Sequence, residues 1–249
     1  MSRLERTHWW YKSTHELVDA CVRRFAGVGQ PIFDAGCGTG GLLKTLSKTN
    51  PVSGCDTSEL SLRLARRHST PKNRLDLQKY GVEELHHLKA QSFQCVTCID
   101  VLYHQQVRNW RDALQNFKYL LKPHGYLILQ VAAFSILHGN HDLAVDGARR
   151  FRRSEVQSAL EDSGFRTRLC SYRYAHLFPL LLARRLKSRI DGSDKACNSD
   201  FETAFGVPES VKRLSEKMAL SLARVENMAV LNGVRMPFGS SLFLVARAS

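Results

Sequence analysis

Residues 31–46, PIFDAGCGTGGLLKTL, constrain the fold more than any other part of this 249-residue chain. A short apolar run closes on an acid, Asp34. Glycines follow at Gly36, Gly38, Gly40 and Gly41, and then an amphipathic run. Glycine concentrates where the backbone takes a positive φ or admits a close neighbour. The free N–H groups at a helix start point toward whatever sits in the preceding turn. The stretch therefore reads as strand, tight turn and helix, with a ligand at the turn.

The rest of the chain supplies matching units. Helical spacing covers 13–26, with Ser13 or Thr14 as N-cap, and strand 31–35 follows. Helix 40–48, strand 50–56 ending at Asp56, and helix 58–68 capped by Ser58 come next. Strands are expected near 74–79 and at 93–99, a helix at 109–121 and an apolar strand at 125–134. Beyond these lie helix 153–165, strand 166–174, an amphipathic helix at 175–190, a polar loop at 191–200, a helix at 208–230 and a last strand at 239–248. Alternating strands and helices predict an α/β, Rossmann-like, doubly wound sheet, mostly parallel. About 60 mainly helical residues part the last two strands, and connections that long usually carry function, such as a lid.

Composition narrows the setting. Hydrophobic residues make up 43% and charged residues 24%, ordinary for a globular chain. No run approaches the roughly 18 apolar residues that cross a bilayer. The opening MSRLERTHWWYKS lacks an apolar signal core, so a cytoplasmic location is the expectation. Seven scattered cysteines suit buried, reduced thiols. Cys95 and Cys98 form a C-x-x-C pair, but in a strand their sulfurs face opposite sides, and no second pair completes a metal set. The net charge of +13 is heavier in the second half, with clusters at ARRFRR (148–153) and ARRLKSR (183–189). It fits nucleic acid, anionic lipid, an acidic substrate or simply a solvated surface.

The glycine spacing fits a nicotinamide dinucleotide and S-adenosylmethionine equally well. Asp56, twenty residues after Gly36, suits the ribose diol of either. The acids discriminate. Asp34 at the loop mouth favours a ligand with an amino group and a sulfonium over one with a pyrophosphate. FQCVTCIDVLYH places Asp100 at the end of the fourth strand, a second acid on the carboxyl edge where open α/β sheets bind ligands. LLKPHGYLIL then gives a helix end, a Pro/Gly turn and a strand.

With these residues in order, the chain resembles a class I S-adenosylmethionine-dependent methyltransferase, closely over 31–133 and more loosely beyond. Asp34, Gly36, Gly38 and Gly40 resemble the family's first motif, with Cys37 inside it. Asp56, followed by Thr57, resembles its ribose acid. YGVEEL resembles the adenine-side loop, with Val82 on the ring and Glu83 nearby. Asp100 and Val101 resemble the motif that lines the methionine part. His124 departs from the family's usual Pro-Gly-Gly turn. The resemblance implies seven strands with an antiparallel last one and a single domain: an N-terminal helical lid (1–30), a cofactor core (31–174), a helical cap (175–238) and a final strand (239–249).

Methyl transfer needs a base only when the nucleophile arrives protonated, so the family brings no universal catalytic residue. His104, four residues after Asp100, is expected to start the next helix and serve as base or substrate contact. His141, a second catalytic candidate, and His138, a substrate-side candidate, lie in HGNHDLAVDGARRFRR, on the site's edge, with Arg149 and Arg150 placed for an anion or for structural ion pairs. ERTHWWYK resembles a segment of related enzymes. Trp10 and Tyr11 are expected to cover the cofactor, and His8 and Tyr103 to face the substrate. The leading reading is methylation of an oxygen, nitrogen or carbon of a small-molecule acceptor. RNA or protein methylation competes on charge but lacks a recognisable RNA module. A non-catalytic scaffold would need a damaged loop. The 175–190 helix offers a peripheral membrane contact as an alternative to core packing.

Overall fold

The computed structural model describes residues 8–71, 73–137, 146–183 and 209–249. The chain opens with helix α1 (Trp9–Cys21), which ends in a π-helical turn, Val22–Ala26. β1 (Ile32–Ala35), α2 (Gly41–Leu46), β2 (Val52–Cys55), α3 (Glu59–Arg66) and β3 (Asp76–Gln78) follow. Next come β4 (Phe93–Ile99), α4 (Trp110–Leu120), β5 (Leu121–Ala132), α5 (Arg153–Asp162) and β6 (Phe165–Arg173). α6 (Glu209–Leu231) and β7 (Ser241–Ala248) close the chain. One seven-stranded sheet runs β3-β2-β1-β4-β5-β7-β6, with β7 antiparallel to both neighbours and the other pairs parallel. The expected doubly wound sheet with an antiparallel last strand is present.

Strand alternation divides the core into two layers. Phe33, Val96 and Leu129 face Trp110, Leu114 and Phe117 of α4 and Val156 and Leu160 of α5. Their strand neighbours Ile32, Cys95 and Ile128 face Leu17 and Val18 of α1, Leu42 and Leu46 of α2, and Leu62 of α3. Burial on both faces explains why these strands read as continuous apolar runs. Cys95 and Cys98 fall in opposite layers, so their sulfurs diverge as the strand period requires.

Two elements differ from expectation. α1 begins at Trp9, capped by His8, whose Nδ1 accepts a hydrogen bond from Trp10 N at 3.3 Å. Ser13 and Thr14 are buried inside the helix instead of capping it, and both hydroxyls meet the Tyr174 hydroxyl, at 3.2 and 2.7 Å. The aromatic run Trp9–Tyr11 extends the helix because its rings pack on Tyr174 (Trp9 5.5 Å, Trp10 6.1 Å between centroids), a tertiary contact that overrides local capping preference. The second difference is at β5, where pairing starts at Leu121, directly after α4. The turn at Pro123 and Gly125 is absorbed as an irregularity opposite Phe93–Cys95, with His124 at φ +63°.

α6 packs along α1 and buries Ala223, Glu226, Asn227 and Val230. Arg224 pairs with Glu16 across the same contact. Residues 178–183 are helical, as expected for that segment, while its basic end at 184–189 lies outside the described residues. Among the described residues no helix is long and apolar enough to cross a membrane.

Candidate active site

The carboxyl ends of β1, β2 and β4 meet at the glycine turn. Asp34 is only 3% exposed and accepts a hydrogen bond from Thr97 Oγ1 of β4 at 2.6 Å. Gly36 N and Cys37 N both donate to Cys55 O, at 2.9 and 2.8 Å, which fastens the turn to the end of β2. Gly36 stands at φ +82°, and a Cβ there would lie 2.3 Å from Val101 Cγ2, so the loop after β4 occupies the space of a side chain. Gly40, at φ +85°, would meet Ala65 Cβ of α3 at 2.9 Å. Its glycine is dictated by a helix packing against the turn as much as by the turn's shape.

Asp56 braces the turn from the other side. Its Oδ2 accepts from Gly38 N at 2.9 Å and its Oδ1 from Ser58 N at 2.8 Å. Each oxygen keeps a second lone pair for a diol. Ser58 then caps α3, as expected, accepting from Ser61 N at 3.2 Å.

Asp100 ends β4 at φ +56°, a conformation that Asp tolerates better than most residues. Its N–H donates to Gln130 O at 2.9 Å, and its Oδ2 accepts from Gln130 Nε2 at 2.7 Å. The carboxyl group is enclosed although the residue keeps part of its surface accessible. Burial pushes its pKa up to about 6, against the opposing pull of the Gln130 bond and of the Arg173 and Arg150 charges.

Three acids thus rim the turn, and among the described residues no group bonds Asp100 Oδ1. The set fits a ligand with a diol and a positive charge, and it opposes a pyrophosphate. Comparison with known proteins points the same way. A family profile described as "Methyltransferase domain" matches residues 32–125, the span that builds this edge. Over that span the chain is similar to a methyltransferase domain. A "Ubiquinone biosynthesis O-methyltransferase" from Hahella chejuensis is 33% identical over 107 residues, 39% of this chain and 45% of that one. One from Chromobacterium violaceum is 30% identical over 154 residues, 56% and 63%. The chain therefore spans about half the length of the curated relatives it matches. In fold it is similar to magnesium protoporphyrin IX methyltransferase from Synechocystis PCC 6803, solved with bound SAM, at TM-score 0.55 and 16% identity over 96% of this chain and 81% of that one.

Around this edge the expected site residues take different stations. Val101 is partly buried against Gly36, and Thr57 is exposed, its hydroxyl donating to Gln106 Oε1 at 3.2 Å. Cys37 is buried among the α1 and α2 side chains, so it offers the cleft its backbone rather than its thiol. Val82 is 5% exposed, within the α4-side core, and its carbonyl accepts from Asn116 Nδ2. Glu83 is committed elsewhere: its carboxylate accepts from Arg108 N and Asn109 N, at 3.1 and 2.6 Å, at the start of α4. That is where an acid complements the helix dipole.

The acceptor side departs further from expectation. His104 does not start a helix. It sits in a turn, bridged to Gly147, because Gln105 N and Ala148 N donate across to Asp146 O and Tyr103 O, and Asn109 caps α4. The His104 ring lies 4.5 Å from that of Tyr103. Arg149 donates to Val107 O at 3.0 Å and Arg150 to Ala133 O at 2.9 Å, so both hold backbone carbonyls. His8 is the α1 cap, while Trp10 and Tyr11 stack edge to face at 4.9 Å. His138 and His141 lie outside the described residues. Sequence reasoning missed Thr97, Gln130, Arg173 and Tyr174. Gln130 carried a signal, as a lone amide inside the apolar run YLILQVAAF.

Proposed function

We propose that the protein transfers a methyl group from S-adenosylmethionine to a nucleophile of a small molecule, and that the accepting atom is a hydroxyl oxygen. The observation that carries this is the three-acid edge around the glycine turn: Asp56 holding Gly38 N, Asp34 beneath, and Asp100 presented from β4. The printed names of the curated relatives support an oxygen acceptor.

S-adenosylmethionine supplies an electrophilic methyl on a sulfonium. The protein's own work is to hold, orient and keep dry. Asp56 takes the ribose diol, the Gly36–Gly40 backbone lies along the ligand, and Asp100 receives its amino group. Trp10, packed beside Tyr174, and Tyr11, packed on Trp10, cover it, with the N-terminal segment as lid and α6 behind it. A hydroxyl must lose its proton as it attacks, and His104, four residues beyond Asp100, takes it. The buried, free cysteines Cys21, Cys37, Cys55, Cys95, Cys98 and Cys170 support a reducing, cytoplasmic setting.

The test is transfer of labelled methyl from S-adenosylmethionine to separate pools of phenols, amines, lipids, protein and RNA. Label in the phenol pool is expected; label confined to RNA or protein would overturn the small-molecule reading. His104→Ala should cut turnover about 10²–10⁴-fold while S-adenosylhomocysteine affinity holds. Wild-type turnover would remove His104 from the chemistry.

A further inference from the structure

A line of buried polar side chains runs under the cleft floor. Arg173, the last residue of β6, is fully buried, and among the described residues no carboxylate bonds it. Its Nη1 donates to Gln130 Oε1 at 2.6 Å and to Thr14 Oγ1 at 3.3 Å, and its Nη2 donates to Asn227 Oδ1 at 2.8 Å. The Tyr174 and Phe243 rings lie 4.5 and 5.8 Å from its Cζ. A buried guanidinium is costly to keep, and apolar side chains usually fill such a space at lower cost.

The chemistry of the line gives it a direction. Arginine has donors only, so Gln130 must turn its Oε1 toward Arg173. That leaves Gln130 Nε2 facing Asp100, where it donates to Oδ2 at 2.7 Å. An amide NH2 accepts nothing, so Oδ2 must be the acceptor, and the bond is stronger to the carboxylate than to the protonated acid. The other partners of Arg173 sit on α1 (Thr14) and α6 (Asn227), and Asn227 Nδ2 donates onward to Ser13 O at 2.8 Å.

We propose that Arg173 is a positioning residue for the cofactor site: acting through Gln130, it holds Asp100 as an ionised acceptor and couples that state to the docking of α1 and α6. The role at the cofactor rests on the methyltransferase reading; the state of Asp100 does not. The groups that act on Asp100 are Gln130 on β5, Arg173 and Tyr174 at the end of β6, Arg150 on the segment before α5, and Cys98 on β4. Gln130, Arg173 and Arg150 favour the carboxylate against burial.

The test titrates the Asp100 carboxyl carbon by 13C NMR in ligand-free protein, its signal assigned by loss in Asp100→Asn. Wild type should titrate near about 6. Arg173→Met should titrate at higher pH, with Arg173→Lys between. Gln130→Glu keeps the shape, gives Arg173 an acid to pair with and sets an oxygen against Asp100, so it too should titrate higher and stands in if Arg173→Met fails to fold. An unchanged midpoint in either folded variant overturns the proposal. Calorimetry with S-adenosylhomocysteine over the same pH range reads the second half. Affinity should fall about tenfold per unit below the midpoint, and the fall should move up with it in the variants. A protein that titrates as expected but binds no S-adenosylhomocysteine overturns the cofactor role and the methyltransferase reading together, and leaves the oriented network standing.

Discussion

Asp56 and Asp100 face the same cleft but are held by different means. Asp56 is gripped by main-chain N–H groups, Gly38 on the turn and Ser58 two residues on. Asp100 is gripped by a side chain, Gln130, which is oriented by another, Arg173, itself held between α1 and α6. The first arrangement is built from backbone and glycine within about one βαβ unit. The second joins residues from both ends of the chain. Damage to the first should stay local and remove affinity. Damage to the second should change protonation and the seating of the helices.

Gly36→Val should break the first half most severely. The new side chain would occupy the place of Val101 at a positive φ. A left-handed L-residue costs about 1–2 kcal/mol and overpacking about 1–3 more, so a loss of about 2–5 kcal/mol in urea unfolding is expected, with no measurable S-adenosylhomocysteine binding. Trimming Val101 to Ala in that background should return the packing part only. Full recovery would mean that backbone conformation carries no cost here.

Asp56→Ala should follow. It strips the acceptor from Gly38 N and Ser58 N, both near water, so about 1–2 kcal/mol of stability is expected to go. Calorimetry should show at least about a hundredfold weaker S-adenosylhomocysteine binding, because a charge-assisted pair of bonds to the diol is lost. Unchanged affinity would sink the ribose assignment.

Asp100→Asn separates the halves by sign. The folded pKa of Asp100 lies above its ordinary value of 3.8, so the folded protein binds the extra proton between that value and about 6. Its contribution is fully present below 3.8 and is lost as pH rises through about 6. At neutral pH ionised Asp100 therefore costs stability. Its neutral replacement should gain on the order of 1–3 kcal/mol there, shrinking to nothing under acid conditions, while cofactor affinity drops. Equal stability of the two proteins at every pH would show that Asp100 is not enclosed.

This contrast also explains what was legible in the sequence. Asp34, the glycines, Asp56 and Asp100 stand at strand ends fixed by local period and spacing, so the cofactor edge could be read from the chain. Residues whose roles depend on distant partners could not. Ser13 and Thr14 look like caps until Tyr174, just past β6, meets them. Glu83 looks free until the start of α4 claims it. His104 looks like a helix start until the 146–148 segment bridges to its turn. Arg173 in RTRLCSYRY gives no sign that it is buried, since a strand arginine is ordinarily solvated.

Arg149 tests the acceptor side with the smallest expected effect. Its guanidinium donates to Val107 O across the mouth of the 101–109 turn, a bond that straps this turn to the segment before α5. One such bond contributes about 1 kcal/mol, and in a chain of this size that corresponds to a fall in Tm of about 2–4 °C for Arg149→Ala. If the strap is its whole role, S-adenosylhomocysteine affinity stays within about threefold and the acceptor KM rises only modestly, because His104 and Tyr103 lie on the turn it steadies. If Arg149 also receives an anionic group of the acceptor, the acceptor KM should instead rise more than about tenfold with Tm moving no further, since a lost charge-assisted bond adds to binding and not to folding. Steady-state kinetics beside a thermal melt separates the two, and only the second result would extend the charged machinery of the cleft beyond its three acids.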